Sequence, residues 1–242
     1  MESESGEPVF MPHGTPRDMT INPLDNPVWH ALVGPPRVHA TVRGRAAHYP
    51  RDVAPFSAIE EATTHAYADL AVDLPSGTEA RLFRPVEEPL PPGWEQLDSF
   101  PMLQMVAINP PERVDSAFER LSDTDAPAML ELVAVAKPGP FGPRTIALGS
   151  YLGVKRAGRL VAMAGERLRV PGHVELSAIA VHPDARGQGL GARLTRVLMA
   201  QVFARGEVPF LHVRPGNSAV ALYQRLGFRT RRELRVVWRR PR

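Results

Sequence analysis

The chain has 242 residues, 43% hydrophobic and 23% charged, a formal net charge of +3 and no cysteine. The missing cysteines exclude disulfides, thiol nucleophiles and zinc–thiolate sites, and no stretch approaches the ~18 apolar residues of a membrane span. The positive charge is nearly all arginine, with lysine only at Lys137 and Lys155. The acidic start "MESESGEPVFMPHGTP" lacks the basic and apolar regions of a signal peptide, so a cytoplasmic protein without a membrane partner is expected.

Residues 1–20 read as a flexible segment. Residues 21–112 are proline-rich with few clear periods and form a candidate N-terminal α/β domain. Within it "RVHATVRGRAAHYP" and "ARLFRPV" suggest strands, "SAIEEATTHAYADLAV" a helix and "PMLQMVAI" another strand. "NPPERVDS" marks a boundary near Pro110–Pro111. Beyond it, 113–242 carries stronger signals. "SDTDAPAMLELVAVA" is a helix with Ser122 and Asp125 spaced as a capping box. "SYLGVKRAGRLVAMAGERL" is a hairpin turning near Gly158, and "HVELSAIAVHP" is a strand. "GLGARLTRVLMAQVFARG" is a helix with Leu190, Leu194, Val197, Leu198 and Val202 on one face. "PFLHVRP" is a strand, "NSAVALYQRLGF" a helix capped by Asn217 and stopped by Gly227, and "RRELRVVWRR" a last strand. The order is mixed α/β.

The stretch "VHPDARGQGLGARL" joins a strand to a helix and holds Gly187, Gly189 and Gly191 between Arg186 and Arg193. Helix N-termini carry free N–H groups and about half a positive charge, and glycines let a ligand approach the backbone. The site suits a phosphate or pyrophosphate; the alternative is a tight turn that binds nothing. "GQGLGA" matches the dinucleotide fingerprint, but "HPDAR" separates it from its strand and no acidic residue ends the next strand. A P-loop needs Gly-Lys-Ser/Thr, which "GARL" lacks. Arg186, Gly189 and Gly191 fit Arg/Gln-x-x-Gly-x-Gly/Ala.

"ELSAIAVHPDARGQGLGARL" followed by "NSAVALYQRLGF" resembles the GNAT superfamily of acyl-CoA N-acetyltransferases, over about residues 113–242. The resemblance implies a splayed, mostly antiparallel sheet flanked by helices, with acetyl-CoA as co-substrate lying between "ELSAIAV" and "PFLHV". Gly187, Gln188, Gly189, Leu190, Gly191 and Ala192 would cradle the CoA pyrophosphate. The backbone of Ile179, Ala180 and Val181 would pair with the pantetheine arm. It also implies a general base at Glu175, eleven residues before Arg186 and, by strand alternation, on the face of Ser177 and Ile179, with Glu166 as backup. Tyr223 matches the tyrosine that protonates the leaving thiolate. The family's asparagine lies seven residues before that tyrosine; here Asn217 lies six before, so it is read as a CoA contact or as a helix cap alone. The resemblance implies an acceptor amine on a small molecule or peptide, which the sequence does not identify, and a monomer or homodimer is expected. A non-catalytic acyl-CoA sensor is the rival class.

The histidines show no metal spacing, so no metal is expected, and His182 and His212 read as structural. "RTRRELRVVWRRPR" alternates as a strand with a solvated arginine face, so no nucleic-acid partner is expected. The N-terminal domain is expected to be a degenerate acetyltransferase-like half that walls the acceptor pocket.

Overall fold

The computed structural model describes residues 22–35, 39–114 and 118–242, so the segment expected to be flexible, residues 1–20, lies outside the described residues. The elements in chain order are α1 (Pro27–Val33), β1 (Thr41–Arg43), β2 (Ala46–His48), β3 (Ser57–Ile59), α2 (Thr64–Asp73), β4 (Ala80–Arg84) and β5 (Trp94–Ala107). They continue with β6 (Glu119–Arg120), α3 (Ala126–Ala136), β7 (Tyr151–Arg156), β8 (Arg159–Val170), β9 (His173–Val181), α4 (Leu190–Ala204), β10 (Val208–Val213), α5 (Ala219–Arg225) and β11 (Phe228–Pro241).

One 8-stranded sheet has the order β4-β11-β5-β10-β9-β8-β7-β6, and β1-β2-β3 form a second, 3-stranded sheet. Within the large sheet every pairing is antiparallel except β9 with β10. The β7–β8 hairpin turns through Ala157 and Gly158, both at positive φ (47° and 78°), the geometry that matches the twist of its strands.

The boundary expected near residue 112 follows β5, a strand that pairs with both β10 and β11. β4 joins the same sheet through β11. The chain from 21 to 112 therefore contributes two strands to the sheet that carries the glycine loop. Its "SAIEEATTHAYADLAV" divides into β3 and α2, because Thr63 caps the helix by accepting from the Ala66 N–H. Pro101 is tolerated inside β5 because the β10 pairing reaches only to Leu103, leaving one neighbouring strand there.

Alternation along β10 separates two cores. Leu211 and Val213 pack with Leu190, Leu194, Val197, Leu198 and Val202 of α4, the five residues read as one helix face. Phe210 packs instead with Leu24, Val28 and Leu32 at the N-terminal side, and with Phe83, Leu234 and Val236. That second core mixes residues from both sides of position 112. The β11 arginines are not a solvated face: Arg231 and Arg232 pair with Asp25, Arg240 pairs with Glu95, and Arg239 is buried with its guanidinium on the Tyr67 hydroxyl.

Candidate active site

The site begins where two parallel strands part. β9 and β10 pair only from His173↔Val208 to Glu175↔Phe210. Beyond that point Ser177–Val181 of β9 and Leu211–Val213 of β10 face each other across a cleft of about 570 Å³. The β10-facing backbone of β9 is therefore left without a strand partner, which suits an extended ligand arm laid along it.

A β-bulge sits at that place. Met163 faces Ala180 and Gly165 faces Ser177, so β9 carries one residue more than β8 between the two pairs. Ala178 takes φ 51°, an uncommon and strained value for a residue with a Cβ. Gly165 is required opposite, because a Cβ there would fall 2.2 Å from the Tyr151 ring. The bulge also breaks the alternation read from sequence. Val174 and Leu176 belong to the α4 core, and so do Ile179 and Val181, while Ala178 and Ala180 face α3. Glu175 therefore lies on the face opposite Ile179, not on the same one.

The glycine loop closes one end of the cleft. His182 caps a short turn by accepting from the Asp184 N–H, and Gly189 (φ 71°) is the N-cap of α4. The first-turn N–H groups at Leu190, Gly191 and Ala192 have no helical acceptor. A Cβ placed at Gly187 or Gly189 would meet nothing within 4 Å, so both glycines border open space. One at Gly191 would lie 3.5 Å from Val181 Cγ2, which puts the helix start against the cleft wall. Arg186, Gly191, Ile179, Ala180, Val181 and Asn217 all line the cleft. Gln188 is exposed, Leu190 is anchored in the α4 core, and Ala192 packs against it. This set fits a pyrophosphate at the helix N-terminus with its arm running along β9. Asn217 also spends its Oδ1 on the Ala219 N–H at 2.8 Å, capping α5.

Tyr223 lines the same cleft from α5. It is largely buried, and burial pushes its hydroxyl up to about 12. Glu175 is fully buried and does not line the cleft. Arg167 Nε and Nη2 donate to its two oxygens at 2.8 and 2.7 Å, and His212 Nδ1 donates to Oε1 at 2.7 Å. Burial alone would raise its pKa; the Arg167 guanidinium and His212 outweigh this and hold it at about 2. The network continues outward. Arg231 Nη1 donates to Gln104 Oε1 at 3.0 Å, which fixes that amide, and Gln104 Nε2 then donates to Leu24 O (2.8 Å) and to His212 Nε2 (3.2 Å). Glu166 lies elsewhere: it is buried, pairs with Arg205 just past α4 and with Arg169, and does not border the cleft.

Sequence reasoning missed Arg167 and Gln104, and read His212 as structural without its partners, because their meeting depends on pairings between distant segments. It also missed the aromatic wall of Phe56, Phe83, Phe100 and Trp238. Among the described residues no helix is long and apolar enough to cross a membrane, and no cluster of three or more His, Asp or Glu side chains could hold a metal.

A sequence model of the FR47-like protein family matches residues 151–237. The N-alpha-acetyltransferase RimI of Mycobacterium tuberculosis is 44% identical over 82 residues, 32% of this chain and 51% of that protein. The [Ribosomal protein bS18]-alanine N-acetyltransferase of Salmonella typhimurium is 36% identical over 116 residues, 45% of this chain and 77% of that protein. The chain thus spans about half the length of the first and about three quarters of the second. A solved structure from Novosphingobium aromaticivorans, named as an acetyltransferase from the GNAT family, is 38% identical with a TM-score of 0.83, covering 91% of this chain and 99% of that one. With a relative more than 30% identical and covered over more than two thirds of its length, the chain belongs to the GNAT superfamily of acetyltransferases.

Proposed function

We infer that this protein transfers the acetyl group of acetyl-CoA to a primary amine by direct attack within a ternary complex. The observation that carries the reading is the cleft opened by the parting of β9 and β10, with the glycine-rich start of α4 at one end. Acetyl-CoA supplies the thioester: the amine nitrogen bonds to the carbonyl carbon, the C–S bond breaks, its electron pair leaves on sulfur, and a proton from the amine is released. The free N–H groups of α4 and Arg186 bind the pyrophosphate, and the open edge of β9 aligns the arm. Tyr223 reaches the cleft from α5. With its hydroxyl raised to about 12 it stays protonated at any working pH and can donate a hydrogen bond to the departing sulfur.

Glu175 is the weaker candidate for general base, since a carboxylate held at about 2 by three donors has little affinity for a proton. Glu175 instead fixes Arg167 and His212 at the point where the strands part. No carboxylate lines the cleft among the described residues, so the amine loses its proton to solvent at the open mouth. The protein then contributes mainly by holding amine and thioester in line. Calorimetry with acetyl-CoA and a thiol-release assay over a panel of amines test the reading together. Micromolar binding with amine-dependent thiol release is expected. Binding without turnover on any amine would leave a sensor, and absence of binding would remove the cradle assignment.

A further inference from the structure

Away from the glycine loop, the cleft continues under β5, β11 and β4, the strands on the far side of β10 from β9. Phe83, Phe100, Met102 and Trp238 come from those strands, and Phe56 joins them. No Asp or Glu lines any described part of the cleft, whereas Arg81, Lys137, Arg167, Arg186 and Arg214 do. These cations are not equivalent. Arg186 opens the glycine loop. Arg167 is neutralised by Glu175, and Arg81 spends its charge on Glu79 while stacking on Trp238.

Lys137 and Arg186 are exposed and pair with no carboxylate among the described residues; Arg214 shares this and, of the three, is the one stacked on an aromatic ring. Arg214 immediately follows β10. Its guanidinium carbon sits 3.9 Å from the centre of the Phe100 ring. Val213 pairs with Leu103, and Phe100 lies three residues further along β5, so Arg214 leans over β5, the neighbour of β10 on the side opposite β9. A guanidinium stacked on a ring keeps its N–H edge free to fork a carboxylate.

We propose that the acceptor is a small amino-carboxylate: Arg214 holds its carboxylate, and its apolar body lies on Phe100, Met102 and Trp238. The proposal rests on the acetyl-transfer reading of the same cleft. The products are the N-acetylated acid and the free CoA thiol. A polycationic peptide would meet Lys137, Arg186 and Arg214 and no acid on the cleft wall, whereas an acceptor bearing its own carboxylate is matched in charge.

The test uses the full chain, acetyl-CoA and matched acceptors that differ by the carboxylate alone, phenylalanine against phenethylamine and leucine against 3-methylbutylamine, beside a lysine-rich peptide ending in alanine. Wild type should favour the amino acids in kcat/KM by about tenfold or more, a charge-assisted contact of ordinary strength. Arg214→Gln should collapse that ratio, acting through KM rather than kcat, and Arg214→Lys should keep part of it. Because the ratio is compared between proteins, differences in amine basicity cancel. A ratio that Arg214→Gln leaves unchanged, or a peptide used better than either amino acid, overturns the proposal. Calorimetry with acetyl-CoA alone reports on the cradle separately: lost binding there would sink the underlying reading, not the acceptor assignment.

Discussion

Replacing Glu175 by glutamine separates an anchor from a base. The carboxylate receives three hydrogen bonds, two from Arg167 and one from His212. An amide offers one oxygen and turns an NH2 group toward one of those donors, while Arg167 keeps its charge in a buried place. Removing one partner of a buried pair costs about 3–5 kcal/mol. Proton linkage gives a similar figure: the drop from 4.5 to about 2, at about 1.4 kcal/mol per factor of ten in proton affinity, is about 3 kcal/mol. For a chain of this size that is a fall in Tm of roughly 6–12 °C near neutral pH. The pH dependence has a fixed sign. A depressed carboxylate stabilises above its unfolded value and loses that contribution as pH falls through the folded one. The gap between wild type and Glu175→Gln should therefore be full at pH 6–7, shrink below 4.5 and close toward 2. Thermal melts of both proteins across this range read it directly. A variant that melts within about 2 °C of wild type at pH 7 would refute the anchoring role. If that stable variant also lost about 10²–10⁴-fold in kcat with unchanged acetyl-CoA affinity, Glu175 would be the base.

Three further perturbations address the rest of the site. Gly189→Asp places a carboxylate against the pyrophosphate cradle at φ 71°; with open space for the new side chain it should cost about 1 kcal/mol of stability yet abolish acetyl-CoA binding by calorimetry, and equal binding would remove the loop assignment. Tyr223→Phe should slow thiol release while leaving acetyl-CoA affinity nearly unchanged. Since the hydroxyl is raised to about 12, no basic limb from this tyrosine should show in rate profiles up to pH 10, and a limb that disappears in the variant would contradict the burial argument. The fragment 113–242 lacks β4 and β5, so it should be insoluble or lack a cooperative melt; a well-folded fragment that binds acetyl-CoA would restore the boundary at residue 112.

What could be read from sequence was local. The α4 face, the glycine loop and the α5 cap each rest on residues within one or two turns of one another, and all five apolar α4 positions are buried together. The division of the chain was not legible, because β5 pairs with β10 and β11 across more than a hundred residues. Proline density around it carries no record of that pairing. The orientation of Glu175 was lost for a different reason. Period-2 alternation holds only for a regular strand, and a single alanine at positive φ shifts every later side chain of β9 to the other face. Alanine at position 178 gives no compositional hint of a bulge, although Gly165, forced by the Tyr151 ring opposite, is its partial signature.

The bulge and the buried charge network act on the same few residues, and this links the fold to the chemistry. Parallel strands that continued pairing past Glu175↔Phe210 would leave no edge for a ligand. Two features oppose that continuation. The extra residue at Ala178 turns the remainder of β9 out of register. On β10, His212 is tied by Glu175 on one side and by Gln104 of β5 on the other, so the strand is held toward β5 just where β9 leaves it. Gln104 is in turn fixed by Arg231 of β11 and by the Leu24 carbonyl near the N-terminal side. The width of the cleft thus depends on groups from both halves of the chain. That dependence explains why an apparently separate N-terminal segment shares a core with the strands that form the cleft, and why loss of Glu175 should disturb cleft geometry before it disturbs any proton transfer.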